Sequence, residues 1–243
     1  VTLLNHIAFG DSAANTTVTG TVGSNGALFG GDNTSAHRVA GPGFSIPYAF
    51  DFNGVDDYVY FASGFTVGTQ VTLSAWINLD AYATNAGGND YGYRNIIDSR
   101  DAGNANIDDS AMFLAVAGTS NGVLTAGVNW DGTVAAANRC TVTGAVVPLA
   151  TWQHVMFTVN GNTCKLFQNG AQSGTNTFTN VGIYDPATWV IGKFATPTLN
   201  GYFDGRIAQV KIFDSDESAN AFALYMEGKY KWWCQNAPPE LRL

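Results

Sequence analysis

Residues 98–113 read DSRDAGNANIDDSAMF. The stretch holds Asp98, Asp101, Asp108 and Asp109, with Asn104 and Asn106 among them. Calcium draws on about six to eight oxygens, which carboxylates, amides and backbone carbonyls of a flexible loop supply. Asp101, Asp108 and Asp109 are therefore candidate calcium ligands, structural or ligand-bridging; the competing reading is a solvated acidic loop. A second acidic pair, Asp56 and Asp57, stands in FDFNGVDDYVYF (50–61) between two aromatic, strand-like runs. It can be a metal site, half of an acid/base pair or the polar tip of a turn. Asp side chains accept hydrogen bonds from nearby backbone N–H groups and tolerate turn dihedrals.

Glycan recognition asks for a different set. Aromatic rings pack on the apolar faces of sugars, while amides and carboxylates fix the hydroxyls. Tyr82, Asn89, Asp90, Tyr91, Tyr93 and Arg94 lie together in one long stretch. Trp130, Asp131 and Arg139 come from the end of a hairpin, and Tyr184, Trp189, Asn200 and Tyr202 from a later loop. For Trp130 and Trp189 the competing reading is core or rim packing. Trp76 and Trp152 lie inside strand-like runs and are expected in the core.

Catalytic constellations are harder to assemble. A jelly-roll glucanase needs two close carboxylates, typically alternating on one strand. The three glutamates stand at 217, 227 and 240, in the late helix and tail. A polysaccharide lyase would need Arg94 with Tyr93 or Tyr91, or Arg139 with His154, and no spacing demands either pairing. His6 and His37 have no partner identifiable by spacing.

Composition bounds the rest. The 243 residues carry a formal charge of −8 with no basic cluster, Lys229-Tyr230-Lys231 being the nearest approach to one. A nucleic-acid partner is set aside, and so is an anionic membrane surface. The same charge repels anionic polysaccharides unless a bound cation changes the local sign. No apolar run reaches the ~18 residues that span a bilayer. Mean hydropathy is +0.01, and the length suits one large β domain or two small ones. There are 28 glycines and only 12% charged residues, which favours strands and turns over exposed helices. Cys140, Cys164 and Cys234 fit no zinc spacing. Cys140 and Cys164 sit in neighbouring strand-like segments, so both a disulfide between them, which would leave Cys234 over, and free thiols stay open. The start at Val1 reads as a mature or trimmed product, in keeping with an exported β module.

These residues must be positioned by short strands. VTLSAWINL (71–79) alternates. AMFLAVAG (111–118) and VLTAGVNW (123–130) flank the turn signal Ser120-Asn121-Gly122, and residues 152–162 and 164–170 flank Asn160-Gly161-Asn162. DGRIAQVKIFD (204–214) is a further strand. One helix is expected over 218–228, capped by Ser215 or Asp216 and stopped by Gly228. Two long segments, about 80–110 and about 172–204, show no regular pattern.

In this order the motifs resemble the laminin G-like, concanavalin A-like lectin/glucanase jelly rolls, the group that includes pentraxins. FDFNGVDDYVYF resembles the family's hairpin, VTLSAWINLD its Ser/Ala-Trp strand and WQHVMFTVNGNTCKLFQNG its Trp–x–His–Val strand pair. IGKFATPTLNGYFDGRIAQVKIFD resembles its closing strand and ESANAFALYMEG the helix after it. The match covers roughly 5 to 228. It implies two stacked antiparallel sheets with ligands at a rim loop or on a concave face. It makes Asp56–Asp57 a turn tip and His154 a packed or hydrogen-bonded strand residue. In the pentraxin branch a loop before the strand at 111 supplies calcium ligands, where Asp108 and Asp109 stand. The branch's second acidic cluster falls at 193–205, where Asp204 is the sole carboxylate; this implies one calcium at most.

The expectation is therefore all-β: an antiparallel two-sheet β-sandwich over 1–230 with one short C-terminal helix, then a tail or linker over 231–243. The function expected is a non-catalytic carbohydrate-binding or adhesion module of an extracellular, cell-surface or virion protein, with a glycan or polysaccharide as partner and calcium as cofactor. The alternatives are a polysaccharide lyase or glycoside hydrolase on the same fold, and a structural assembly protein. For Trp232 and Trp233 in the tail two readings stay open: packing back on the sandwich, or meeting other subunits or domains.

Overall fold

The computed structural model describes residues 2–43, 45–62, 67–83, 92–100, 110–119, 121–129, 139–179, 188–195 and 200–229. The early elements are β1 (Leu3–Ile7), β2 (Thr17–Val18), β3 (Gly20–Val22), β4 (Gly26–Phe29), a one-turn helix α1 (Thr34–His37), β5 (Arg38–Gly43), β6 (Ile46–Asn53) and β7 (Tyr58–Phe61). The middle holds β8 (Gln70–Leu79), β9 (Tyr93–Arg100), β10 (Ser110–Ala117), β11 (Val123–Asn129), β12 (Arg139–Val146), β13 (Gln153–Asn160) and β14 (Thr163–Gln168). Then come β15 (Ala171–Thr177), β16 (Thr188–Ile191), β17 (Asp204–Phe213) and α2 (Ala221–Glu227).

The strands form two antiparallel sheets. The nine-stranded sheet runs β15-β14-β13-β8-β17-β1-β3, with β6 also paired to β17 and β5 to β6; the eight-stranded sheet runs β12-β11-β10-β9-β16-β7-β4-β2. Their inner faces meet in one apolar core that includes Phe50, Phe52, Leu73, Ile77, Ile97, Leu114, Phe157, Leu166, Trp189 and Ile207. The expected hairpins are present: β10 pairs with β11 from Met112↔Val128 to Ala117↔Val123, and β13 with β14 from Val155↔Gln168 to Asn160↔Thr163.

The strand β8 is buried on both faces. Leu73, Ala75 and Ile77 fill the core, while Thr72, Ser74 and Trp76 on the other face are buried too. The cover is α2 and the chain leading to it. Tyr225 of α2 stacks on Trp76 with centroids 5.6 Å apart, and Thr72 Oγ1 donates to the Ser215 carbonyl at 2.7 Å. Leu224 and Ala221 pack on Met156, Phe167 and Phe213. The helical region opens with a 3-10 turn over Ser218–Asn220, but the expected caps are corrected: Glu217 and Asn220 hold the two N-cap positions without a side-chain capping bond, and Asp216 Oδ1 instead accepts from the Ser218 N–H at 2.9 Å.

Three strands correct the reading of long unpatterned segments. β9 lies inside 80–110, and β15 and β16 inside 172–204. β9 carries a bulge: Leu114 pairs with Ile97 but Ala115 with Asn95. Ile96 and Ile97 consequently both enter the core, which breaks the period of two. β15 is a polar edge strand with no buried residue, and β16 is a four-residue strand buried throughout. Helix α1 is a second helix where one was expected; Asn33 caps it, its side chain accepting from the N–H groups of Ser35 and Ala36.

Candidate functional site

β7 reads Tyr-Val-Tyr-Phe. Val59 and Phe61 point into the core, so the alternation turns Tyr58 and Tyr60 outward, away from the nine-stranded sheet. On one side lies β4, whose Phe29 pairs with Tyr58. The Phe29 and Tyr58 rings stack with centroids 4.8 Å apart and planes 4° from parallel, and Phe29 meets Tyr60 edge-on at 6.4 Å. Phe29 is 43% exposed. On the other side β16 runs on into Lys193. Its Nζ lies 4.7 Å from the Tyr58 ring centroid and 5.2 Å from that of Tyr202, a cation–π arrangement on two rings. Lys193 is only 8% exposed. Burial lowers its pKa, while the negative charge of Asp98 pulls the other way. Burial likewise raises the phenol pKa values of Tyr58 and Tyr202.

The position of Tyr202 is set by backbone ties. The Asn95 N–H donates to the Gly201 carbonyl at 3.0 Å and the Phe203 N–H to that of Gly192 at 2.7 Å. Arg94 Nη1 donates to the Tyr202 carbonyl at 2.8 Å and Nη2 to that of Tyr82 at 3.1 Å. Gly201 is required here: its φ is +46°, and a Cβ would stand 2.5 Å from the Phe194 ring. Further along the same face Tyr93 meets Phe113 edge-on at 6.2 Å and Phe194 at 5.9 Å. Asn95 is 0% exposed, and neither end of its amide finds a hydrogen-bond partner among the described residues. The arrangement offers stacked rings and phenol hydroxyls at a partly open surface, with one largely buried ammonium held against two of the rings. That is the chemistry of hydroxyl-rich, ring-shaped ligands.

The structure brings Tyr82, Tyr93, Arg94, Asn200 and Tyr202 together. Arg94 is buried and its guanidinium ties two loops to one strand, 3.9 Å from Asp204; Tyr82 donates its hydroxyl to the Val147 carbonyl. Both are structural supports of the face. Trp189 is corrected: at 1% exposed it belongs to the core and offers no ring face to a ligand. Arg139 is described only as backbone, at the start of β12 opposite Asn129. Asn89, Asp90, Tyr91, Trp130, Asp131, Tyr184, Asp101, Asp108, Asp109, Trp232 and Trp233 lie outside the described residues. Phe29, Tyr58, Tyr60 and Lys193 were missed by the sequence reading. The alternation of Tyr58 and Tyr60 with Val59 and Phe61 was the available signal.

Asp56 and Asp57 are the tip of a turn. The Asn53 side-chain oxygen accepts from the N–H groups of Val55, Asp56 and Asp57, and Asn53 Nδ2 donates to Asp56 Oδ1 at 2.8 Å. Asp57 Oδ2 accepts from the Asn53 N–H at 2.8 Å, and Oδ1 stands 3.7 Å from His37 Nε2. Both carboxylates are committed to local structure. Among the described residues no group of three or more His, Cys, Asp or Glu side chains is placed to hold a metal. The calcium expectation stays with Asp101, Asp108 and Asp109, which lie outside the described residues.

His154 is packed, as expected. It lies buried between Trp76 and Tyr225, with Nε2 2.9 Å from Ser74 Oγ. Burial first and the charge of Lys211 second push its pKa down to about 3, so it is neutral at ordinary pH. Residues 118–122, Gly-Thr-Ser-Asn-Gly, have the Gly-x-Ser-x-Gly spacing of a nucleophile elbow, a correction to the sequence reading, which finds no such spacing and sees a turn there. They join the antiparallel strands β10 and β11 rather than a strand and a helix, so the elbow's context is missing.

Comparison with known proteins agrees with this architecture. The family model Laminin_G_3, described as the concanavalin A-like lectin/glucanases superfamily, matches residues 53–221. Domain 4 of AbnA, an extracellular arabinanase from Geobacillus stearothermophilus solved with arabinotriose, superposes with a TM-score of 0.58 at 16% identity, over 92% of this chain and 98% of that one. The SAP-like pentraxin of Limulus polyphemus superposes with a TM-score of 0.52 at 14% identity, over 69% and 75%. A botulinum neurotoxin type C structure, whose cell entry depends on two ganglioside molecules, superposes with a TM-score of 0.56 at 14% identity, over 90% of this chain and 51% of that one. At these identities the likeness shows the fold alone. No curated protein matches the chain.

Proposed function

The chain belongs to the concanavalin A-like lectin/glucanase superfamily, and on that premise we propose that it is a non-catalytic, carbohydrate-recognising module acting outside a cell. One observation carries the reading: the outward face built from Phe29, Tyr58, Tyr60, Lys193 and Tyr202. Rings on a partly open sheet face suit the apolar faces of pyranose or furanose units, and the Lys193 ammonium and the phenols suit their hydroxyls. The arabinotriose complex of one neighbour and the ganglioside dependence of another support the ligand class. Lys193 has Asp98 near it and the whole chain carries −8, which favours neutral over anionic glycans. A calcium ion held by Asp101, Asp108 and Asp109 is a separate proposal. Binding at the aromatic face does not depend on it.

A glycan-array screen of the purified chain tests the reading, with hits re-measured by calorimetry on Tyr58→Ala and Lys193→Ala. Neutral oligosaccharide hits weakened by both substitutions are expected. An array with no hit, or hits that neither substitution weakens, would contradict it.

A further inference from the structure

Cys140 lies on β12 of the eight-stranded sheet and Cys164 on β14 of the nine-stranded sheet. Both are buried in the core and both are reduced in this structure. Cys164 pairs with Asn176 of β15, and the Asn176 side chain reaches Thr141, the chain neighbour of Cys140. The two cysteines therefore approach one another in the core from opposite sheets. Around them the sheets close on one another. Asn176 Nδ2 of β15 donates to the Thr141 carbonyl of β12 at 2.9 Å. Gln168 Nε2 of β14 donates to the Val146 carbonyl at 3.1 Å. The approach is close enough that a Cβ on Gly174 would stand 2.6 Å from the Thr143 carbonyl oxygen. Side chains and backbone on both sides thus hold the strands that carry the two cysteines close together.

We propose that Cys140 and Cys164 are the two halves of a covalent staple between the sheets, closed by thiol–disulfide exchange with a low-molecular-weight disulfide. This is independent of the glycan reading. In the first step the Cys140 thiolate attacks one sulfur of the small disulfide. A mixed disulfide forms and one small thiolate leaves. The Cys164 thiolate then attacks the Cys140 sulfur, the protein S–S bond forms and the second small thiolate leaves. The two cysteines lose two protons and two electrons, and the small disulfide is reduced to two thiols. The steps balance equally with the two cysteines exchanged, since exchange precedes the fold that distinguishes them. Both sulfurs are sealed in the finished fold, so exchange takes place during folding, before the β12–β15 edge closes.

The test uses the full chain carrying Cys234→Ser, which removes the third thiol. The protein is unfolded, reduced, refolded in a glutathione redox buffer, then alkylated in denaturant and weighed intact. The expected product takes up no alkyl group, is about 2 Da lighter than the reduced form, and yields a Cys140–Cys164 linked peptide. It also melts at least about 5 °C above the reduced protein, because a bridge across this loop constrains the unfolded chain. Two alkylated cysteines after oxidative refolding would overturn the proposal. So would glutathione retained on either residue as the stable product, or a bridged form that melts no higher than the reduced one.

Discussion

The outer faces of the two sheets carry much the same residue types and end up doing different things. On the nine-stranded sheet Trp76, His154, Ser74 and Lys211 lie beneath α2. Their contacts run inward: Trp76 to Tyr225, His154 to Ser74, and Lys211 to Glu227. On the eight-stranded sheet Phe29, Tyr58, Lys193 and Tyr202 also contact one another, but Phe29 remains 43% exposed. An aromatic beside a cation is thus packing in one place and a surface in the other. What separates them is the cover: one face has a helix delivered to it by β17, and the described residues place no helix on the other.

The largest effect that tests this contrast is Trp76→Ala. It should cost about 3–5 kcal/mol of stability by leaving a cavity beneath α2, while the folded fraction keeps its glycan affinity. Equilibrium denaturation paired with calorimetry reads both; a loss of affinity in the folded fraction would break the separation of the faces.

The sealed face also predicts a pH dependence. His154 has a folded pKa of about 3 against an ordinary value of 6.5. Between those values the unfolded chain binds the proton that the folded chain refuses. Stability contributed by keeping His154 neutral is present above about pH 6.5 and is lost as the pH falls toward 3. Melting curves across that window should flatten in His154→Gln, and an unchanged slope would mean that His154 is not the group responsible.

The open face predicts the reverse pattern. Lys193→Ala should weaken glycan binding about tenfold or more, roughly 1.4 kcal/mol. Its folding stability should fall by about 1–2 kcal/mol, less than for Trp76→Ala, since the largely buried side chain leaves the rings of Tyr58 and Tyr202. A melting temperature that collapses with this substitution would make Lys193 a packing residue. The smallest effect belongs to Phe222→Ser on the outer side of α2, where the ring is 62% exposed. Stability should move within about 0.5 kcal/mol and glycan binding not at all.

Much of the sealed face was legible in the sequence. β8, β13, β17 and α2 follow from alternation, turn pairs and a capped apolar helix, and His154 and Trp76 fell where a family resemblance put them. The open face was harder, because its geometry depends on register. Phe29 and Tyr58 stack only because β4 pairs with β7, and nothing within either segment announces the partner. Lys193 looks unremarkable until Tyr202 is folded back over it by the ties at Gly201 and Arg94. β9 hid behind its bulge at Ile96 and Ile97, and β15 behind an all-polar edge. Trp189 drew attention as a large aromatic, but β16 turns it into the core. Asp57 drew attention as a carboxylate, but Asn53 had already engaged it.

The most direct test of the central claim is calorimetry of the best neutral array hit against wild type and the Tyr58→Ala/Lys193→Ala double variant, each in calcium and in EDTA. The account predicts wild-type binding that is indifferent to EDTA and absent in the double variant, with the double variant still folded, as its circular dichroism and cooperative melting should show. Binding that survives in the double variant and disappears with EDTA would contradict it, and would move recognition to the loop that holds Asp101, Asp108 and Asp109.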